Sequence, residues 1–174
     1  MFADWFGKRF EADARQSARM SEVRIALAFV LVFVLGQTAN WSLACLWGVG
    51  VLSLEGAYRV ALRRLAAGGG EPRKAAWGVF WLHVLTVIAW NSVGVLLWLG
   101  SGGASDVVAA AFFAGHLLYL QTHHSRALGS ILPATPALVS PILTPLLLPH
   151  FSGWEQAIVV LTLTAVAAHA AISM

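Results

Sequence analysis

Apolar residues run through this chain in long blocks separated by short polar connections, and the block lengths predict membrane helices. A helix needs about 20 apolar residues to cross a hydrocarbon core ~30 Å thick. Residues 25–54 make one apolar stretch that is too long for a single straight span. A single helix would also put two equally basic flanks on opposite sides of the membrane. Two spans joined at Gln37-Thr38-Ala39-Asn40 resolve both difficulties, with Arg24 and Arg59 snorkelling at their inner ends. Gly68-Gly69-Gly70 then ends the second helix and Pro72 starts the next. The turn Gly100-Ser101-Gly102-Gly103 precedes Ser105 or Asp106, either of which can cap the helix that follows. The predicted spans are residues 23–38, 40–58, 75–99, 105–124, 128–148 and 154–174, approximately.

Charge orients these spans. The Lys and Arg residues, 11 in all, fall into three groups: Lys8 to Arg24, Arg59 to Lys74, and Arg126. The alternate connections, at 37–40, 100–106 and 149–155, carry no basic residue and hold Asp106 and Glu155. Positive charge resists translocation, so the basic groups mark the cytoplasmic side. The expected fold is an all-α, polytopic bundle of six transmembrane helices with both termini in the cytoplasm. Residues 1–22 precede the 23–174 membrane domain as an amphipathic interfacial helix. Its Phe2, Phe6 and Phe10 recur every four residues, and Trp5 lies beside that face.

Composition agrees. The chain is 59% hydrophobic and 11% charged, against about 25% charged in soluble domains. The net charge of +3 sits at helix borders, which points to anionic headgroups and not to nucleic acid. One cysteine, Cys45, excludes an intramolecular disulfide and any CxxC metal site. No cleavable signal is visible in the charged, aromatic first segment. The chain stops at Ile172-Ser173-Met174 without a polar tail, so a cytoplasmic output domain is expected to follow.

Four prolines, Pro133, Pro136, Pro141 and Pro145, fall inside the fifth span, and Pro149 follows it. Each removes a backbone donor and frees a carbonyl, so a kinked or partly unwound helix is expected, with these prolines as a conformational hinge. Thr135, Ser140 and Thr144 are placed to satisfy the freed carbonyls. No internal repeat relates the three hairpins, which disfavours inverted-repeat transporters.

Chemistry-bearing residues are few. Glu55 is four residues from Arg59, and an i,i+4 pair at the inner interface accounts for it. No charge is then left at mid-depth, which disfavours ion-coupled transport. His83 stands nine residues after Lys74 and His116 ten before Arg126, on spans of opposite direction. At ~1.5 Å per residue they reach similar depth, and His169 approaches the same layer. Such histidines, above all His83 and His116, can hold a metal or haem iron, or face a quinone. They can also act as a proton switch, or simply hydrogen-bond a neighbouring helix. Tyr119 and His123 share a face with His116, while Asn91 and Trp90 lie near the face of His83. His123 and His124 at the inner boundary fit headgroups or a following domain. His150, after Pro149 in an expected outer loop, could meet periplasmic metal, but a lone histidine is weak evidence for a site. No HExxH, GxSxG or phosphate-binding glycine loop occurs, so no enzyme site is expected in this segment.

The stretch Gly115-His116-Leu117-Leu118-Tyr119-Leu120-Gln121-Thr122-His123-His124-Ser125-Arg126, followed by the proline-rich helix Pro133–Pro149, resembles one known family. It is similar to the N-terminal membrane region of bacterial, particularly alphaproteobacterial, sensor histidine kinases and hybrid kinases. That resemblance covers spans four and five and implies a bacterial inner-membrane location, a homodimer and a cytoplasmic kinase-type output domain in the same chain. It assigns no functional residue here. The expected function is a sensory module that relays a membrane or small-ligand signal inward. A small haem-, metal- or quinone-binding membrane protein is the alternative, and a transporter or channel subunit is the third.

Overall fold

A computed structural model describes residues 21–66, 72–100, 103–123, 128–149 and 153–173. The amphipathic helix expected at 1–22 lies almost wholly outside them, as do His124 and His150. The described residues are all-helical: α1 (Ser21–Thr38), α2 (Trp41–Ala66), α3 (Pro72–Trp98), α4 (Gly103–His123), α5 (Leu128–Leu147) and α6 (Gly153–Ser173). Among the described residues three stretches are long and apolar enough to cross a membrane: Trp41–Leu65, Lys74–Trp98 and Gly153–Ile172. The protein is therefore a helical membrane protein.

The apolar stretch 25–54 is two helices, and its break is built from short-range hydrogen bonds. Thr38 Oγ1 donates to the Val34 carbonyl at 2.9 Å in the last turn of α1. Asn40 Oδ1 then accepts from the backbone of Ser42 at 2.8 Å and Leu43 at 3.3 Å. Asn40 is the N-cap of α2, satisfying donors that an apolar environment would leave bare. Helix α2 continues through Arg59, Arg63 and Arg64 to Ala66.

Helix α3 is the hub. It packs against α1, α2, α4 and α5, while α6 packs on α4 and α5. The main core joins Ala28, Leu31 and Leu35 of α1 to Ala44, Trp47 and Val51 of α2, and to Trp90, Val93, Leu97 and Trp98 of α3. Glycine permits the closest approach to α4. A Cβ on Gly94 would lie 2.5 Å from Phe113 Cε1 and 2.7 Å from its Cζ. Phe113 is fully buried, so it has nowhere to retreat.

Hydrogen bonds at the far ends of α3 and α5 depart from the expected pattern. Ser105 does not serve as an N-cap: α4 starts at Gly103, and the Ser105 hydroxyl donates 2.5 Å back to the Leu97 carbonyl of α3. Trp98 is completely buried. Its indole donates to the Leu148 carbonyl at 2.7 Å, just past the end of α5. The Pro145 carbonyl, which Pro149 cannot serve because it has no N–H, accepts from Gln156 Nε2. Helix α5 stays a single α-helix through Pro133, Pro136, Pro141 and Pro145. Pro141 and Pro145 are buried, as is Ala137 on the same face. The donor-free side of α5 thus meets other helices and not solvent.

Gly94→Ala should destabilise the protein by about 1–3 kcal/mol through overpacking against Phe113. Thermal unfolding in detergent is the measurement, and Phe113→Leu in the same chain should recover part of the loss.

Candidate functional site

Among the described residues a buried ionic cluster links more helices than any histidine does. On α1 the buried residues Ala28, Leu31 and Leu35 form a stripe whose inward continuation is Arg24. On α2 the buried stripe Ala44, Trp47, Val51, Glu55, Tyr58 has Glu55 as a regular member. The two helices run antiparallel from their junction, 14 residues separating Thr38 from Arg24 and Trp41 from Glu55. Arg24 and Glu55 consequently meet at one depth.

Arg24 Nε lies 2.8 Å from Glu55 Oε1, an ion-pair contact, and Nη2 donates to Oε2 at 3.1 Å. The Trp90 indole of α3 donates to Oε1 at 3.0 Å. Arg24 Nη1 donates to the Tyr119 hydroxyl of α4 at 3.3 Å. One guanidinium and one carboxylate, the latter 1% exposed, thereby connect four helices. The expected Glu55–Arg59 interface pair is wrong: Glu55 is turned inward and spends its oxygens on Arg24 and Trp90. The pair lies between helices, near the start of α1 and 14 residues along α2 from Trp41.

An aromatic shell holds these groups in place. Trp47 meets Trp90 edge to face, with centroids 5.9 Å apart, and its own indole donates to the Ala89 carbonyl at 2.9 Å. Tyr58 is buried and stacks on His83 at 5.3 Å between centroids. His116 meets Phe112 at 5.7 Å and Tyr119 at 6.4 Å, both edge to face.

The residues singled out from sequence are distributed as follows. Tyr119 joins the ionic cluster. His83 and His116 each have aromatic partners, and His169 is exposed on α6. Asn91 is structural: Nδ2 donates to the Val87 carbonyl at 2.8 Å, and Oδ1 accepts from Ser140 of α5 at 3.1 Å. Ser140 thus serves α3 rather than a carbonyl freed by proline. His123 ends α4, and Pro133 lies within α5, but the side chains of both are outside the described set. Among the described residues no three His, Cys, Asp or Glu side chains are grouped as metal ligands.

Sequence reasoning missed Arg24 and Glu55 because it assigned every charge to a loop side. The signal was present in the spacing, since Glu55 repeats the core positions of α2 set by Ala44, Trp47 and Val51. Chemically, both Glu55 oxygens hold fixed donors and the arginine stays charged, so the cluster is suited to binding helices together and not to proton abstraction.

Breaking a buried pair by removing one partner strands a charge, typically at 3–5 kcal/mol. Glu55→Gln or Arg24→Gln should each lower thermal stability by about that amount. The double variant Arg24→Met/Glu55→Leu should cost less than the sum, as a double-mutant cycle on unfolding midpoints would reveal.

No protein-family model, curated protein or solved structure matches the chain, so its function is argued from its own residues.

Proposed function

We propose that this chain is a membrane-embedded sensory module that relays a membrane or small-ligand signal to a cytoplasmic output domain of the histidine-kinase type. It crosses a bacterial inner membrane six times, with both termini in the cytoplasm, and works as a homodimer. The carrying observation is the Arg24–Glu55 cluster with Trp90 and Tyr119, which links α1, α2, α3 and α4 through one buried charge pair. Such a cluster has two discrete arrangements, paired and broken, and an input that favours one of them repacks four helices together. Support for the topology comes from the basic residues, which are missing from the connections at 37–40, 100–106 and 149–155. Support for the output comes from the kinase-like stretch across α4 and α5.

A second reading gains one observation. Glu55 is a buried carboxylate of the kind that ion-coupled transporters keep on their paths. Against it stand the fixed donors on both of its oxygens.

With Cys45→Ala as background, single cysteines at Ala39, Ser101 and Ser152 should react with an impermeant maleimide from outside intact cells. Cysteines at Gly69 and Ser125 should react only after permeabilisation, and labelling of either from outside overturns the six-span topology. The natural gene product in membrane vesicles should take up acid-labile phosphate from ATP. Glu55→Gln should change that uptake by about tenfold, the equivalent of a 1.4 kcal/mol shift between two packings. Proton or cation flux in liposomes that disappears in Glu55→Gln would favour transport instead.

A further inference from the structure

One turn further along α2 from Glu55, about 6 Å along the helix axis, stands Arg59. Its Nε and Nη2 are buried, and neither has a hydrogen-bond partner. The nearest carboxylate in sequence, Glu55, is already committed to Arg24 and Trp90. A buried guanidinium with unmade hydrogen bonds is costly, more so than a neutral donor. The residue as a whole is only partly enclosed, so rotation about its side-chain torsions brings the fork from its buried position to a ligand at the surface.

Position selects the ligand. Arg59 is 18 residues beyond Trp41 on α2, or about 27 Å along the axis, close to the ~30 Å thickness of a hydrocarbon core. That puts it at headgroup level if Trp41 marks the opposite interface. Arg63 and Arg64 follow on the next turn and are exposed. A guanidinium fork matches two oxygens of a phosphate, and neighbouring cations raise the local concentration of anionic lipid.

We propose that Arg59 is the centre of a phosphate-oxyanion site at the basic end of α2, taking the phosphodiester of an anionic lipid. Nε and Nη2 form the fork that receives two phosphate oxygens, while Arg63 and Arg64 add a diffuse positive field. The site does not depend on the sensory role or on the number of spans, only on α2 lying in a membrane.

The test uses the purified chain in maltoside detergent, which carries no phosphate. Phosphatidylglycerol, phosphatidylcholine and inorganic phosphate are titrated separately, with bound lipid counted by native mass spectrometry and stability followed by thermal unfolding. Phosphatidylglycerol should bind and raise the unfolding midpoint, with phosphatidylcholine weaker and inorganic phosphate without effect. Arg59→Gln should weaken phosphatidylglycerol binding about tenfold, Arg59→Lys should lose part of it, and Arg63→Gln/Arg64→Gln should keep most. Protection by inorganic phosphate equal to that by the lipid would overturn the lipid and leave a free-anion site. No response of the wild-type protein to phosphatidylglycerol or to phosphate overturns the site altogether, as does undiminished lipid binding in Arg59→Gln. Should Arg59→Gln fail to fold, undiminished binding in Arg59→Lys overturns the fork.

Discussion

A carboxylate inside an apolar bundle must find donors within the fold, because no water is there to solvate it. Glu55 imposes this condition on the whole protein. Its two oxygens require Arg24 from α1 and the Trp90 indole from α3, and the same guanidinium reaches Tyr119 of α4. The register of α1 on α2 is thereby fixed, since sliding either helix by one turn would separate the charges by about 5 Å. Hydrophobic packing alone offers less discrimination in lipid, where apolar side chains gain little from leaving the tails. The ionic cluster specifies which packing is native, and the small residues and aromatics around it then fill the space.

Backbone groups obey the same rule further out. In α5 each proline lacks the N–H that would serve the carbonyl four residues before it, and Pro141 and Pro145 place a donor-free face in the bundle. Neighbours supply side-chain donors where the helix runs out: Trp98 to Leu148 and Gln156 to Pro145. The C-terminal end of α3 is closed similarly by Ser105. Helix ends in this protein are therefore held by side chains from other helices as much as by their own caps. This couples α3, α4, α5 and α6 at one side of the bundle, while the ionic cluster couples α1 to α4 deeper within it. A displacement of the cluster is not confined to one hairpin, since α3 and α4 take part in both networks.

Much of the fold was legible before any coordinates. The all-helical class follows from blocks too long and too apolar for anything else, and the break near Asn40 follows from two polar residues and a good capping side chain. Tyr119 was marked by its place on the face of His116, and it belongs to the cluster as an acceptor for arginine. Asn91 was marked for the same reason and instead holds α5 to α3 through Ser140. Glu55 was misassigned because a partner four residues away on the same helix is the nearest in sequence, whereas the nearest in space came from α1, 31 residues away.

The sequence by itself determined roughly where the helices lie and that the protein belongs in a membrane, because both depend on local spacing and on transfer of side chains out of water. Tertiary structure alone decided which charge meets which. A carboxylate that any of several arginines can neutralise is assigned only when helices pack, and the choice of Arg24 leaves Arg59 with buried, unanswered donors. Hydropathy is summed along the chain. Ion pairing depends on distances across it, which no linear pattern contains.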